Sequence, residues 1–249
     1  MTSFFFKNNR VLGNIMRYLA IGDIHGCSRA LDRLLAVVQP QPEDIIITLG
    51  DYLNKGPDSK GVIERLIQLG QTHQLRALKG NHELQLLQAR NHRFEHSVEL
   101  KYLGVETLIS YSSPGQELTI TNVPDRHWQF LEDTCLDAWE TEHHIFVHAN
   151  LDPQLPLNQQ PEDRLFWEKF TQSCPHYSGK TMICGHTSQK SGKPINLGHA
   201  VCIDTWACGE GWLTCLDVYG GQVWQSNHHG QVPLSRIEQF CPTESFITH

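Results

Sequence analysis

The chain has 249 residues, of which 19% are charged and 39% hydrophobic, and a formal net charge of −7 at pH 7. That mix belongs to a globular protein with room for one large α/β domain, not to a disordered chain. The negative balance gives no general attraction for nucleic acid or anionic lipid, and no apolar run approaches the ~20 residues of a membrane span, so neither is an expected partner.

In residues 1–16, the Phe4-Phe5-Phe6 run is broken by Lys7 and Arg10 and lacks the apolar stretch and cleavage site of a secretory signal. This segment is expected to be an N-terminal tail, disordered or an over-called start, with a single domain over 17–249. Tyr18-Leu19-Ala20-Ile21 then reads as a buried strand running into Gly22-Asp23-Ile24-His25-Gly26. Leu31, Leu34, Leu35 and Val38 follow helical spacing behind Ser28, the expected N-cap. Ile45-Ile46-Ile47-Thr48-Leu49 is a second strand, ending at Gly50-Asp51. Val62, Ile63, Leu66 and Ile67 mark a helix behind Pro57-Asp58-Ser59. Leu75 to Lys79 leads to Gly80-Asn81-His82-Glu83. The intervals from Asp23 to Asp51 and from Asp51 to Asn81 suit βαβ units of roughly 30 residues. Residues 93–139 read as a helical insertion. The same pattern of apolar run and polar turn returns at Ile145-Phe146-Val147 before His148, and at Met182-Ile183-Cys184 before Gly185-His186-Thr187. Further strands are expected over 199–225, with Gly220-Gly221 as a hairpin turn.

In α/β sheets, loops at the C-terminal ends of strands converge on one crevice. Asp23, His25, Asp51, Asn81, His148 and His186 would meet there. These are N and O donors without a thiolate, which suits open sites for two divalent ions, Mn²⁺, Fe or Zn²⁺, rather than a closed structural zinc. Asp51 stands between the two groups and is the natural bridge. His82, beside Asn81, is placed to act as general acid. Glu83 is expected to orient neighbours or cap the following helix. None of the eight cysteines forms a Cys-x-x-Cys pair, so free thiols in a reducing compartment are expected.

Gly22-Asp23-Ile24-His25-Gly26, Gly50-Asp51-Tyr52-Leu53-Asn54-Lys55-Gly56, Gly80-Asn81-His82-Glu83, His148 and Gly185-His186-Thr187 together resemble the signature of calcineurin-like metallophosphoesterases. Within them the chain most resembles the bacterial branch of phosphoprotein (serine/threonine) phosphatases, from about Arg17 to Val223. The text around Leu165-Phe166-Trp167-Glu168-Lys169 and Ile203-Asp204-Thr205 is also similar. The resemblance implies a four-layer α/β/β/α sandwich of two mixed β-sheets flanked by helices. It implies one metal held by Asp23, His25 and Asp51 and another by Asp51, Asn81, His148 and His186. It further implies a cytoplasmic enzyme that hydrolyses phosphomonoesters with a hydroxide bridging two metals, its substrate a phosphorylated protein or small phosphoester. Symmetrical cleavage of dinucleoside tetraphosphates is the enzymatic alternative, and a non-catalytic metal-binding regulator the other.

The chain departs from that pattern at Asn54 and Lys55, where the family usually has Asp and Arg, and at Lys169, aligned with a second phosphate-binding Arg. Asn54 is expected to accept a hydrogen bond from His82 without contributing charge. Lys55, Asn81 and Lys169 are the expected phosphate contacts, the lysines acting as point charges instead of bidentate forks. Trp206 stands where relatives often have Gly and is expected either to narrow the site or to fill the core.

Overall fold

The computed structural model describes residues 16–92, 104–171 and 173–241. Its strands, in chain order, are β1 (Tyr18–Ile21), β2 (Ile45–Thr48), β3 (Gln74–Ala77), β4 (Ala138–Glu140), β5 (His144–Val147), β6 (Thr181–Cys184), β7 (Ile195–Asn196), β8 (Ala200–Cys202), β9 (Leu213–Asp217), β10 (Gln222–Ser226) and β11 (Leu234–Arg236). The α-helices are α1 (Ser28–Val38), α2 (Ser59–Thr72), α3 (Asn81–His92), α4 (Val105–Tyr111), α5 (Asp125–Gln129) and α6 (Glu162–Trp167). One six-stranded sheet runs β11-β10-β9-β1-β2-β3, and one five-stranded sheet runs β4-β5-β6-β8-β7. β1, β2 and β3 pair in parallel, with α1 and α2 as crossovers, and β9 adds on antiparallel to β1. In the other sheet β5, β6 and β8 are parallel, and β4 and β7 close the two edges antiparallel.

The near-continuous apolar character of these strands follows from burial on both faces. Leu19, Ile21 and Ile46 point toward α1 and α2, in the helix-covered core. Ala20, Ile45 and Ile47 point the other way and meet Phe146, Ile183 and Val201 of the second sheet. Ile145, Val147, Met182 and Cys184 face Leu165 and Phe166 of α6 on the outer side. The result is helices, sheet, sheet and helices: the expected four-layer mixed sandwich. A backbone ladder also joins the sheets at one edge, where Leu136 donates to Ala77 at 2.8 Å and accepts from Lys79 at 2.8 Å. No helix among the described residues is long and apolar enough to cross a membrane.

Three local expectations change. Ser28 is not the cap of α1: the helix starts at Ser28 behind Cys27, and the Ser28 hydroxyl donates to Asp58 at 2.6 Å. The reason is the tight turn before it, closed by Cys27 N–H onto Ile24 O at 3.0 Å, which uses the position a capping side chain would need. The expected helical text of 93–139 ends differently. Residues 93–103 lie outside the described set, and the last stretch forms β4, because Trp139 packs on Phe146 with ring centroids 5.5 Å apart. Residues 1–15 of the expected tail also lie outside the described set. The cysteines are free, five of them buried as expected, but Cys174 and Cys241 are exposed.

Asp58 caps α2 through the Gly61 amide at 2.9 Å and also accepts the Ser28 hydroxyl. Asp58→Ala therefore removes the cap of α2 and the hydrogen bond that joins α1 to α2, and should lower stability by about 1–2 kcal/mol. Urea unfolding checks this: the midpoint should fall at constant slope, and an unmoved midpoint would contradict the capping role.

Candidate metal centre

The polar turns that follow β1, β2, β3, β5 and β6 gather at one end of the two sheets. They do so through backbone that side chains seldom adopt: His25, Asp51 and His186 have φ of 45°, 52° and 60°. Such left-handed residues cluster where surrounding structure holds them for function. The glycines in these turns admit close approach. A Cβ at Gly80 would stand 2.2 Å from Asp51 Oδ1, and one at Gly185 would stand 2.0 Å from Asp23 Oδ1.

Hydrogen bonds at the back of each imidazole fix which nitrogen keeps its lone pair. His148 Nδ1–H donates to Leu49 O at 2.8 Å, so Nε2 is free, 3.1 Å from Asn81 Oδ1 and 3.4 Å from Asp51 Oδ1. His186 Nε2–H donates to Trp167 O at 3.1 Å, so Nδ1 faces Asn81 Oδ1 at 3.2 Å. His25 Nδ1–H donates to Leu53 O at 2.8 Å, leaving Nε2 3.4 Å from Asp51 Oδ2. Lone pairs therefore face lone pairs around Asp51, an arrangement that repels unless a cation sits among them. That donor set, N and O atoms with no thiolate, fits divalent metal. Two groups offer ligand atoms within 4.8 Å of one another, His25 with Asp51 and His82, and Asp51 with His148 and His186; Asp51 belongs to both.

His82 differs from the other members of its group. Asn54 Nδ2 donates to its Nδ1 at 2.6 Å, so Nε2 carries the proton and offers no lone pair, 3.8 Å from Asp51 Oδ2. The expectation that Asn54 accepts from His82 is thus reversed. The Thr107 hydroxyl occupies Asn54 Oδ1 at 2.6 Å, which turns the amide nitrogen toward the imidazole. Asp23 stands beside the groups, buried, its carboxylate accepting the His186 amide at 3.0 Å. Lys55 Nζ lies 2.9 Å from His25 Nε2, and Lys169 Nζ donates to His186 O at 3.4 Å, so both lysines stand at the rim.

Electrostatics mark the same cluster. Burial, then Asp204 and Asp51, push Asp23 well above the usual carboxylate range. Burial works against ionisation of Asp51 as well, yet His148, His25 and His82 hold it below that range. Burial lowers His25 and His186 to about 4, keeping both imidazoles neutral and able to bind metal at neutral pH. Sequence reading missed two partners. Asp204 is buried beside Asp23 and held by the Ser188 hydroxyl at 2.6 Å; its place after a strand-like run was the available signal. Thr107 carried no signal, since nothing in its segment points to Asn54. Two further histidines bond elsewhere: His228 Nε2 bonds Ala207 O at 2.9 Å, and His199 Nε2 bonds Ser173 O at 2.9 Å.

Comparison with known proteins follows these turns. A family model described as calcineurin-like phosphoesterase matches residues 16–190. The curated symmetrical bis(5'-nucleosyl)-tetraphosphatase of Acidovorax sp. (strain JS42) is 47% identical over 75 residues, 30% of this chain. The match spans 26% of that relative, about a quarter of its length. Among solved structures, a putative diadenosine tetraphosphatase superposes with TM-score 0.61 at 23% identity, covering 90% of this chain and 95% of its own. The cold-active protein-tyrosine phosphatase of a psychrophilic Shewanella sp. superposes with TM-score 0.65 at 15% identity, covering 89% and 80%. Both likenesses establish the fold.

The buried Glu83 joins two of the turns, accepting amides of Asp51 at 2.7 Å, Gly80 at 2.8 Å, Tyr52 at 2.9 Å and Leu53 at 3.3 Å. Glu83→Gln keeps the shape but sets an NH₂ against amide donors. It should cost about 2–3 kcal/mol of stability. Chemical unfolding of the variant measures this, and a loss under about 0.5 kcal/mol would mean these bonds do not anchor the turns.

Proposed function

The chain belongs to the calcineurin-like phosphoesterase family, and from that premise we propose that it cleaves the phosphoanhydride of nucleotide polyphosphates, splitting dinucleoside tetraphosphates symmetrically. In this reading Asp23, His25 and Asp51 hold one divalent ion, and Asp51, Asn81, His148 and His186 the other. When bound, the two ions supply a Lewis-acid clamp on the phosphoryl oxygens and a water acidic enough to attack. Lys55 and Lys169 bring positive charge to a substrate that the net charge of −7 would otherwise repel.

The observation that carries the choice of substrate is the Asn54–His82 hydrogen bond, with the amide as donor. A carboxylate at that position would accept from Nδ1–H and favour the imidazolium. The Asn54 NH₂ faces Nδ1 and opposes a proton there. His82 therefore keeps a neutral ring with Nε2–H, a hydrogen-bond donor but a weak acid. A serine or threonine alkoxide needs a full proton to depart. A nucleoside diphosphate is a far weaker base and leaves with a hydrogen bond alone. The similarity to the symmetrical bis(5'-nucleosyl)-tetraphosphatase of Acidovorax sp. supports this choice. The phosphoprotein reading requires the stronger acid.

The Mn²⁺-loaded protein should release nucleoside diphosphate from diadenosine tetraphosphate and lose that activity after chelation, with recovery on adding Mn²⁺. Faster release of phosphate from phosphoserine or phosphotyrosine peptides would overturn the substrate choice. Asn54→Asp should raise kcat on a phosphoserine peptide by about tenfold or more while leaving the anhydride within about threefold. Equal effects on both substrates would remove the argument from the leaving group.

A further inference from the structure

Trp206 is held in a conformation that its residue type resists. Its φ is 66°, in the left-handed region that L-residues other than Gly, Asn and Asp enter at a cost of roughly 1–2 kcal/mol. Core packing does not account for it. Ala207, next in the chain, is buried in the helix-side core, while the Trp206 side chain stays half-buried. The surroundings are shaped to keep the indole in place. A Cβ on Gly209 would lie 2.2 Å from Cε2 and 2.5 Å from Cζ2, so the ring rests against bare glycine backbone. The Gly209 amide closes the turn onto Trp206 O at 3.1 Å.

The same turn is bound to the metal cluster. The Trp206 amide donates to Asp204 Oδ1 at 3.0 Å, and Asp204 is the buried carboxylate whose charge acts on Asp23. Asp204 also accepts the Ser188 hydroxyl at 2.6 Å, and its carbonyl accepts the Gln189 amide at 2.8 Å. The turn after His186 and the turn bearing Trp206 thus form one wall. Lys190, exposed on the first of them, places Nζ 5.9 Å from the centre of the indole ring. The ammonium stands over the ring face, and the exposed lysine chain is long enough to swing from it to a phosphate and open that face to a base. An aromatic plane and a cation on a wall that also carries His186 and Asp204 match the two parts of a nucleotide. Bases stack on aromatic faces, and phosphates pair with lysine.

We propose that Trp206 and Lys190 form a nucleotide subsite beside the metal cluster, with the indole stacking on the base and the ammonium pairing with a flanking phosphate. This rests on the polyphosphate reading for its place in catalysis, but it is tested by binding alone. Titration calorimetry on the Mn²⁺-loaded protein compares adenosine 5'-(α,β-methylene)diphosphate with methylenediphosphonate, the same phosphorus chain without the base. The nucleoside ligand should bind about tenfold more tightly. Trp206→Leu should erase that difference and leave the methylenediphosphonate affinity as it was, and Trp206→Phe should restore most of it. Lys190→Ala should weaken both ligands together. Equal affinity of the two ligands for the unaltered protein would overturn the subsite, and so would a Trp206→Leu change that shifts both alike. The Phe variant keeps the test open if Leu at 206 impairs folding. Failure to cleave diadenosine tetraphosphate, with the base preference intact, would remove the proposed reaction and leave the subsite standing.

Discussion

The arrangement of this protein turns on one buried carboxylate that is not among its proposed metal ligands. Glu83 takes amides from both the Gly80 turn and the run Asp51-Tyr52-Leu53, and so welds the end of β2 to the end of β3. Asp51 is thereby held in a left-handed backbone conformation with its two oxygens turned to different imidazoles, Oδ1 toward His148 and Oδ2 toward His25. A residue shared by two ligand groups cannot drift toward either without losing the other. The rigid amide cradle behind it is what keeps it between them.

That cradle adds to an electrostatic problem that the fold leaves unsolved by protein groups alone. Asp23, Asp51, Glu83 and Asp204 are all buried close together. Burial and mutual repulsion push Asp23 and Glu83 upward, Glu83 to about 8. Buried charges of one sign persist in proteins when they are paired or coordinate metal. Here Lys55 reaches His25, but burial keeps His25 neutral, and its Nε2 faces Asp51 with a lone pair. Divalent cations complete such a set, and the same charge would draw in an anionic substrate against the acidic balance of the whole chain.

Much of this was legible in the sequence because strand ends announce themselves locally. Ile45-Ile46-Ile47 could only be a strand buried on both sides, and Gly50-Asp51 marked where it stopped. The order of layers came from the family resemblance; that Ile46 packs against helices and its neighbours against the second sheet is an alternation the uniformly apolar run does not display. What remained hidden depended on contacts distant in the chain. The orientation of the Asn54 amide is set by Thr107, 53 residues away, and no spacing rule reports it. Ser28 had the composition of a helix cap, yet a turn one residue earlier and an acceptor on Asp58 claimed it for a link between two helices. Trp206 was noticed as unusual, but whether it lay inside or outside the core was a question of packing rather than pattern.

The division of the proposed ligands between two sheets has a bearing on how the molecule is made. Asp23, His25, Asp51 and Asn81 ride on the ends of β1, β2 and β3, which are consecutive in sequence and pair with one another. His148 and His186 ride on strands synthesised much later, and the amide that caps Asp23 comes from 163 residues downstream. Emerging from the ribosome, the first three strands would carry a knot of acidic side chains with half its counterparts still untranslated. Contacts of such long range are slow to form. Cation binding at the proposed site would then have to wait for the arrival of β6, and until that moment the nascent half-site would be the part of the chain most in need of shelter.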